Sequence, residues 1–252
     1  MCGRYTLTAD QEALEVALGV EGLIHKRPRF NLAPTQEAPA LIWRDGASVA
    51  ACLRWGLIPS WARGKGSTFR PLINARSESV HQKPSFRDAF RRRRCLIPAD
   101  GFYEWRTGPD GKEPFWIHRP DRSIFTFAGL WEEGALDPVG ARRGPDDMLR
   151  GGGDRESGEA AAPASGGTFT ILTMGASPAL RQLHDRMPVV IPTEGRSTWL
   201  DVELPWTDTR DWLSDLMERS LSQDAWKWHA VSRRVNSPAN DDATCLAVAG
   251  AQ

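Results

Sequence analysis

The sequence predicts an α+β fold: a largely antiparallel sheet, or open β-barrel-like core, with short flanking helices. Three observations support this class. Short apolar runs recur between turn residues, hairpin signals such as Asp45-Gly46 join neighbouring runs, and few stretches carry a long helical period. A length of 252 residues suits one domain over residues 1–252, with room for an insertion.

The first predicted helix follows Thr8. Thr8 and Gln11 match the capping-box pattern, in which a threonine side chain satisfies the first helical turn and a glutamine three residues later bonds back to it. Apolar residues within 13–18 then follow a helical period. Gly19 is suited to end this helix because glycine readily adopts the left-handed conformation found at helix ends.

The later helices are short. Ser85 is predicted to cap a helix over residues 86–93, at whose end stand four consecutive arginines, Arg91 to Arg94. Cations in a last helical turn interact favourably with the helix dipole, and the same run also suits contact with phosphate, so both interpretations stay open. The other predicted helices begin at Ser177-Pro178 and cover residues 193–200 and 207–219.

The predicted strands alternate with turns along most of the chain. Asp45-Gly46 and Pro109-Asp110-Gly111-Lys112 mark tight turns between neighbouring strands. This succession of hairpins is what favours antiparallel pairing. The predicted strands cover residues 38–43, 49–55, 95–105, 115–118, 123–131, 168–174 and 226–231.

Residues 134–167 differ in composition from the rest of the chain. Gly, Pro, Ala, Asp and Arg dominate there, no apolar period survives, and Gly151-Gly152-Gly153 lies in the middle. Such a segment buries too little apolar surface to offset the entropy lost on ordering. We therefore predict a disordered insertion within the single domain, and we expect its deletion to leave activity unchanged.

Composition excludes several classes of protein. A net charge of +0 argues against nonspecific coating of nucleic acid, although it permits a local basic face. Only five of the 32 basic residues are lysine, and arginine is the better planar clamp for phosphate. No apolar run is long enough for a membrane helix, and the N-terminus lacks a signal-peptide pattern. The four cysteines show no metal-ligand spacing, so we expect a reduced, cytoplasmic protein without a metal.

Cys2 is the first candidate for chemistry. A small second residue favours removal of Met1, which would leave Cys2 with a free α-amine beside its thiol. Amine and thiol have ordinary pKa values near ~8, so both are usable nucleophiles close to neutral pH. Together they condense with an aldehyde, first as a Schiff base and then as a thiazolidine ring. The alternative is that Cys2 is a small buried hydrophobic residue.

Three polar residues stand where apolar residues would be expected. Asn74 follows Leu72-Ile73, Glu104 lies between two aromatic residues, and His184 follows a leucine. A buried carboxyl has a raised pKa and serves as an acid or base near neutrality, and histidine needs little tuning to do so. Each residue also has a structural alternative, as a turn cap, an ion-pair partner and a core histidine respectively.

Six motifs in order resemble the SRAP family of abasic-site processing proteins. The resemblance covers nearly the whole chain apart from residues 134–167. The motifs are MCGRY (1–5), RFNLAP (29–34), RWGLIP (54–59), NARSE (74–78), RCLIPADGFYEW (94–105) and HDRMP (184–188).

The resemblance implies a role for each candidate residue. Cys2 would form a covalent cross-link with the aldehyde of an abasic site in single-stranded DNA, Asn74 would orient the sugar and the Cys2 amine, and Glu104 with His184 would transfer protons. No cofactor would be needed. A lyase side reaction, self-removal of Met1, a place in the SOS response to DNA damage, and a monomer near the nucleoid are further implications. The implied DNA-binding residues are Arg4, Asn31, Pro34, Arg76, Tyr103, Trp105 and Arg186.

Two other functions remain open at this stage. Cys2, His184 and Asn74 supply the residue types of a Cys-His-Asn peptidase. A noncovalent single-stranded DNA binder that shields lesions would need only the arginines and aromatic residues. Blocking the α-amine distinguishes the three, because it stops thiazolidine formation, spares thiolate catalysis and leaves noncovalent binding intact.

Overall fold

The computed structural model describes residues 2–63, 69–109, 111–134, 164–222 and 226–249. These residues form an α+β fold with two sheets and few helices, which confirms the predicted fold class. The α-helices are α1 (Gln11–Leu18), α2 (Arg87–Arg92), α3 (Arg196–Leu200) and α4 (Trp206–Ser222). The strands are β1 (Tyr5–Leu7), β2 (Arg29–Leu32), β3 (Glu37–Arg44), β4 (Ala47–Trp55), β5 (Asn74–Arg76), β6 (Arg94–Ala99), β7 (Gly101–Gly108), β8 (Gly111–His118), β9 (Phe125–Glu133), β10 (Ala164–Gly175), β11 (Arg186–Pro188), β12 (Val190–Ile191) and β13 (Lys227–Ala230).

The smaller sheet is antiparallel and carries the N-terminal strand in its interior. Its strand order is β13-β8-β7-β1-β2. Tyr5 of β1 pairs with Leu32 on one side and with Phe102 on the other. Residues 2–4, which precede β1, are therefore held beside the middle of β7.

The larger sheet has eight strands in the order β11-β10-β4-β3-β6-β9-β12, with β5 paired to β10. Strand β10 also pairs with β9, so the strands form a closed hydrogen-bonded ring in the order β10-β4-β3-β6-β9. Two pairings are parallel, those of β10 with β4 and with β5. The pairing with β5 places Asn74 beside the middle of β10.

The hydrophobic core lies between the two sheets. The ring of Tyr5 packs against Trp55 and Phe127 of the larger sheet, with centroid distances of 5.3 and 5.8 Å. Trp55 in turn stacks on Phe169 at 6.2 Å. Aromatic pairs of this kind contribute about 0.5–1.5 kcal/mol each beyond their buried area. The contacts fix β1, and so the chain segment before it, against both sheets.

The predicted capping box at Thr8 is wrong. Helix α1 begins at Gln11, and its N-cap is Asp10, whose carboxylate accepts a 2.8 Å hydrogen bond from the backbone of Ala13. Thr8 is engaged elsewhere, because its backbone N–H and its hydroxyl both donate to a carboxylate oxygen of Asp100. The predicted stop is confirmed, since Gly19 caps the helix with a φ of 67°.

The predicted Ser85 cap is also wrong. Helix α2 begins after Phe86, which makes no side-chain capping bond. The carbonyl oxygen of Lys83 accepts from the backbones of both Phe86 and Arg87, at 2.9 Å each. The preceding turn therefore satisfies the first N–H groups of the helix, and a serine cap is not needed.

The four-arginine run divides into internal and exposed members. Arg94 is fully buried, donates to the carbonyl oxygens of Phe90 and Trp199, and has its pKa lowered by burial to about 10. Arg93 pairs with the buried Glu132 at 2.8 Å. Neither cation is available to a phosphate, so that interpretation stays open only for Arg91 and Arg92, which are exposed.

The hairpin predicted at Asp45-Gly46 is confirmed. Asp45 and Gly46 have φ values of 52° and 82°, the conformation of a tight two-residue turn, and they join β3 to β4. Other elements agree in outline. The helix expected over residues 193–200 is a 3-10 turn followed by α3, that over 207–219 is α4, and the strand expected over 226–231 is β13. After Ser177-Pro178 the chain forms only the 3-10 turn Leu180–Gln182.

Strand β10 begins at Ala164, inside the segment set apart by its composition. Gly167 pairs with Glu133 of β9 and, on its other side, with Leu53 of β4. The part of that segment over residues 135–163, and with it the prediction of disorder, lies outside the described residues. Among the described helices, none is long and apolar enough to cross a membrane.

Candidate active site

Cys2 is buried beside β7. The backbone N–H of Tyr103 donates to the carbonyl oxygen of Arg4 at 3.0 Å, which fixes the N-terminal segment along that strand. The Cys2 side chain is fully buried, and its Sγ lies 3.8 Å from the Arg4 carbonyl oxygen. Burial raises the pKa of the Cys2 thiol, and the nearby Glu104 carboxylate raises it further. The thiol therefore keeps its proton at neutral pH until a base removes it.

Asn74 holds the backbone of Cys2. Its Nδ2 donates a 2.8 Å hydrogen bond to the Cys2 carbonyl oxygen. Strand β5 is fixed by its pairing with β10, where Asn74 stands opposite Ile171. The Oδ1 atom of Asn74 is buried and has no hydrogen-bond partner among the described residues. A buried amide oxygen without a donor costs about 1–3 kcal/mol, so this atom is suited to accept from an added group.

Glu104 is the acidic residue of the site. It lies on β7 with 3% of its surface exposed. Burial raises the pKa of the Glu104 carboxyl, while nearby His184 acts in the opposite direction. Glu104 thus lies within electrostatic reach of both the Cys2 thiol and His184. The carboxyl is therefore able to hold a proton at a pH where an exposed glutamate would have lost it.

His184 is half-buried in the loop between β10 and β11. Its Nδ1 accepts a 2.9 Å hydrogen bond from the backbone N–H of Arg186. The neutral ring then carries its proton on Nε2, which is the nitrogen that can donate a proton. Asp185 lies 3.5 Å from the same Nδ1, but its side chain is 91% exposed and the shorter backbone bond already uses that nitrogen.

Glu104 and His184 line one open cleft of about 410 Å³. Its lining consists of Glu104, Trp105, Lys112, His184 and Asn236. Two of these five residues, Lys112 and Asn236, were not identified from the sequence. Nothing in the sequence marked Asn236 as functional, and Lys112 stood in a predicted turn.

The two cations next to the site differ in availability. Arg76 is exposed at the end of β5. Arg186 makes a bidentate pair with Glu78, at 2.5 and 3.0 Å, and also donates to the carbonyl oxygen of Thr173. Burial opposes ionisation of Glu78, but the hydrogen bonds and the charges of Arg186 and Arg76 bring its pKa below the ordinary value. The Arg186 guanidinium is thus held in one orientation at the edge of the larger sheet.

Arg4 and Asn31 are engaged within the protein. Arg4 Nη1 donates to Asn31 Oδ1 and to the Val235 carbonyl oxygen, at 2.7 Å each. Asn31 is fully buried, and its Nδ2 donates to three carbonyl oxygens, those of Val235, Ser237 and Asn240. In this structure both residues connect the N-terminal segment to the chain near residue 236.

The three remaining predicted contact residues differ in exposure. Tyr103 is fully buried, and its hydroxyl donates to the carbonyl oxygen of Phe30 at 2.7 Å. Pro34 is half-buried just after β2. Trp105 is half-buried in the wall of the cleft and is the member of this group that a ligand in the cleft would touch.

In the portion of the chain that the structure describes, no group of three or more His, Cys, Asp or Glu side chains has the geometry to hold a metal ion. All four cysteines are free thiols.

A family model described as SOS response associated peptidase (SRAP) matches residues 1–238. The chain is 33% identical to the abasic site processing protein YoqW of Bacillus subtilis, with 96% of each chain covered. It is 27% identical to the abasic site processing protein YedK of Escherichia coli, covering 98% of this chain and 99% of that one. A solved structure from Bacteroides thetaiotaomicron has the same fold, with a TM-score of 0.69 at 21% identity over 98% of this chain and all of that one.

Proposed function

Because the chain belongs to the SRAP family, we propose that it processes abasic sites in DNA, forming a covalent cross-link through Cys2 after loss of Met1. One observation carries this proposal. Cys2, Asn74, Glu104 and His184 come from four separate segments. Asn74 bonds to the Cys2 backbone, Glu104 acts on the pKa of the buried Cys2 thiol, and Glu104 and His184 line one cleft. The substrate is the abasic deoxyribose of a single strand, whose unpaired form reaches a cleft that a stacked duplex would not enter.

The first step is opening of the sugar ring. An abasic deoxyribose is mostly a closed hemiacetal, and it exposes its aldehyde only when one proton leaves the hydroxyl and another reaches the ring oxygen. His184 Nε2 and the Glu104 carboxyl are the groups that exchange these protons. Burial keeps the Glu104 carboxyl protonated at a higher pH than usual, which suits it to the acid role.

The cross-link forms in two further steps. The Cys2 amine adds to the aldehyde carbon. The Glu104 carboxyl then protonates the departing hydroxyl, and loss of water leaves a protonated Schiff base and the Glu104 carboxylate. The Cys2 thiol then passes its proton to the Glu104 carboxylate, and sulfur adds to the imine carbon to close the five-membered thiazolidine ring. Because burial raises the pKa of the thiol, this proton transfer is required at neutral pH. The oxygen of the aldehyde leaves as water, and no oxidant or reductant is consumed.

Asn74 has two atoms for this chemistry. Its Nδ2 already holds the Cys2 carbonyl oxygen, and its Oδ1 has no partner among the described residues. The free α-amine of a processed Cys2, or a sugar hydroxyl, would satisfy that oxygen. Asn74 would then aim the amine at the aldehyde, which is the role expected from the family resemblance.

Two further activities fit the same residues. Hydrolysis of the Met1–Cys2 peptide bond would expose the amine, with the Cys2 thiol as nucleophile and His184 or Glu104 as base. The Schiff base is also the intermediate from which β-elimination would cleave the strand on the 3′ side. Sulfur closure competes with elimination, so the ratio of cross-link to cleaved strand depends on how fast the thiol reaches the imine carbon.

Arg76 and Arg186 are the proposed phosphate contacts on the larger sheet. Arginine binds phosphate through its planar pair of N–H groups, and contacts of this kind position a strand without reading its sequence. We accordingly expect binding to single strands of any sequence. A monomer near the nucleoid is part of the same proposal.

The test is the intact mass of the protein after mixing with a single-stranded oligonucleotide that bears one abasic site. The expected product survives denaturation without borohydride and maps to a Cys2 N-terminus lacking Met1. Cys2→Ala should give no such adduct and should still bind the strand. Acetylation of the α-amine provides the control, since it prevents thiazolidine formation and spares a simple thiolate peptidase. Unmodified wild-type mass, with Met1 retained, would overturn the proposal.

A further inference from the structure

The amide of Asn236 has a fixed orientation in the cleft. The indole Nε1 of Trp105 donates a 2.8 Å hydrogen bond to Asn236 Oδ1. An indole N–H is only a donor, so it selects the oxygen of the amide and not the nitrogen. The Nδ2 group, with its two N–H donors, is therefore turned away from Trp105.

The backbone of Asn236 is anchored as well. Arg4 Nη2 donates to the Asn236 carbonyl oxygen at 3.1 Å. The fully buried Asn31 donates to the neighbouring carbonyl oxygens of Val235 and Ser237, at 3.1 and 3.0 Å. Residue 236 is therefore held at both its main chain and its side chain, although it lies at the exposed end of the 3-10 helix Arg233–Asn236.

Lys112 lines the same cleft from the β7–β8 hairpin. It pairs across the hairpin with Thr107, three residues beyond Glu104 on β7. Within the described ranges, neither the Lys112 ammonium nor the Asn236 amide nitrogen takes part in a hydrogen bond or an ion pair. The cleft thus presents two groups that only donate, next to the groups that transfer protons.

We propose that Asn236 Nδ2 and Lys112 Nζ together bind one phosphodiester of the strand whose lesion lies in the cleft. This inference rests on the proposed function. A phosphodiester offers only acceptors and one negative charge, which matches an amide N–H₂ and an ammonium. The O6 and N7 acceptors of a guanine edge would also accept from these groups, but an uncharged base offers the Lys112 ammonium no opposite charge. Binding through this site is independent of sequence and adds to the contacts of Arg76 and Arg186.

Asn236→Asp is the sharpest variant. It keeps an oxygen for Trp105 and replaces the outward N–H₂ by a second carboxylate oxygen, so a donor becomes a charged acceptor at unchanged shape. We expect affinity for an unmodified single strand to fall at least ~10-fold, because the carboxylate repels the phosphate. Asn236→Ala removes the donor alone and should cost about threefold. Gln11→Glu, the same atomic exchange on α1, is the matched control and should bind as wild type.

Lys112→Gln tests the other half of the site. The loss of one phosphate contact should lower the slope of log affinity against log salt by about 0.7 on a single strand. If Asn236→Asp does not fold, as judged by circular dichroism and thermal melting, the Lys112→Gln slope decides the matter alone. An unchanged slope would then overturn the proposal, as would wild-type affinity of a folded Asn236→Asp.

The contacted phosphate is located by replacing single phosphates with neutral methylphosphonates. When the methylphosphonate replaces the contacted phosphate, Asn236→Asp and Lys112→Gln should bind that strand no more weakly than the wild type does. At every other position the two variants should bind more weakly than the wild type. Additive losses at every position would show that the two residues do not bind a phosphate. These titrations use DNA without an abasic site, whereas the proposed function is tested by adduct formation at an abasic site. Failure of one is therefore distinguishable from failure of the other.

Discussion

The side-chain nitrogen of Asn74 donates a 2.8 Å hydrogen bond to the carbonyl oxygen of Cys2. This bond joins β5, which is paired in the larger sheet, to the segment that precedes β1 of the smaller sheet. The position of Cys2 relative to Glu104 therefore depends on contacts from both sheets. Substitutions at Asn74 should move the nucleophile without changing the surface on which DNA would lie.

Asn74→Asp should slow cross-linking at least ~10-fold. The change replaces the donor to the Cys2 carbonyl oxygen by a carboxylate, which repels that oxygen and holds the chain end in a different place. Single-turnover adduct formation on an abasic oligonucleotide measures the rate. Affinity for an unmodified strand serves as the control and should stay within twofold. Cross-linking by Asn74→Asp at the wild-type rate would show that this bond does not position Cys2.

Glu104→Gln should slow cross-linking roughly 100-fold or more, the usual cost of losing a positioned acid or base. Glutamine keeps the shape of the buried side chain and cannot exchange a proton. The pH dependence of single-turnover rates between about pH 5 and 9 measures the effect. The wild type should show an ionisation raised above the ordinary glutamate value near ~4.3, and the variant should lack it. Equal profiles would assign that ionisation to another group.

The same variant should change the pH dependence of stability. Burial raises the pKa of Glu104 in the folded protein, so its contribution to stability is complete below about pH 4.3, the unfolded value. That contribution is lost as pH rises through the folded pKa. Glutamine does not titrate, so the free energy of unfolding of Glu104→Gln minus that of the wild type should increase with pH across this window. Urea unfolding of both proteins at a series of pH values measures this difference.

Local turn and helix-end signals were sufficient to predict several elements. Asp45-Gly46 and Gly19 take the left-handed conformations that their residue types favour. The predicted cap at Thr8 was wrong because Thr8 bonds instead to Asp100, which is distant in sequence. The two parallel pairings of β10 were missed for the same reason, since no periodicity in one strand specifies which other strand lies beside it.

The candidate site was only partly predictable. Residue type and an apolar context indicated Asn74, Glu104 and His184. Asn236 gave no such signal, because its orientation depends on Trp105, Arg4 and the buried Asn31, which are far from it in the chain.

Arg76→Gln should weaken binding of single strands of every sequence. Arg76 is exposed at the end of β5, and the loss of one phosphate contact should reduce the salt slope by about 0.7. Arg44→Gln is the control, because Arg44 lies at the end of β3 in a surface pair with Glu133 that contributes about 0–1 kcal/mol. Fluorescence anisotropy at several salt concentrations gives both slopes. Equal salt slopes for the two variants would show that Arg76 does not contact a DNA phosphate.

Deletion of residues 135–163 should leave cross-linking unchanged when a short Gly-Ser linker replaces them. These residues lie outside the described structure, whereas Ala164 already belongs to β10 and pairs with Ala51 of β4.

Deletion of residues 134–167 is the matched comparison. It removes the first four residues of β10, including Gly167, which pairs with both Glu133 and Leu53. We expect that longer deletion to lower the melting temperature by several degrees, because ladder hydrogen bonds on both sides of β10 are lost. Thermal melting and single-turnover rates of both deletions test this boundary. A large loss of cross-linking by the shorter deletion, with its melting temperature unchanged, would show that residues 135–163 take part in the reaction.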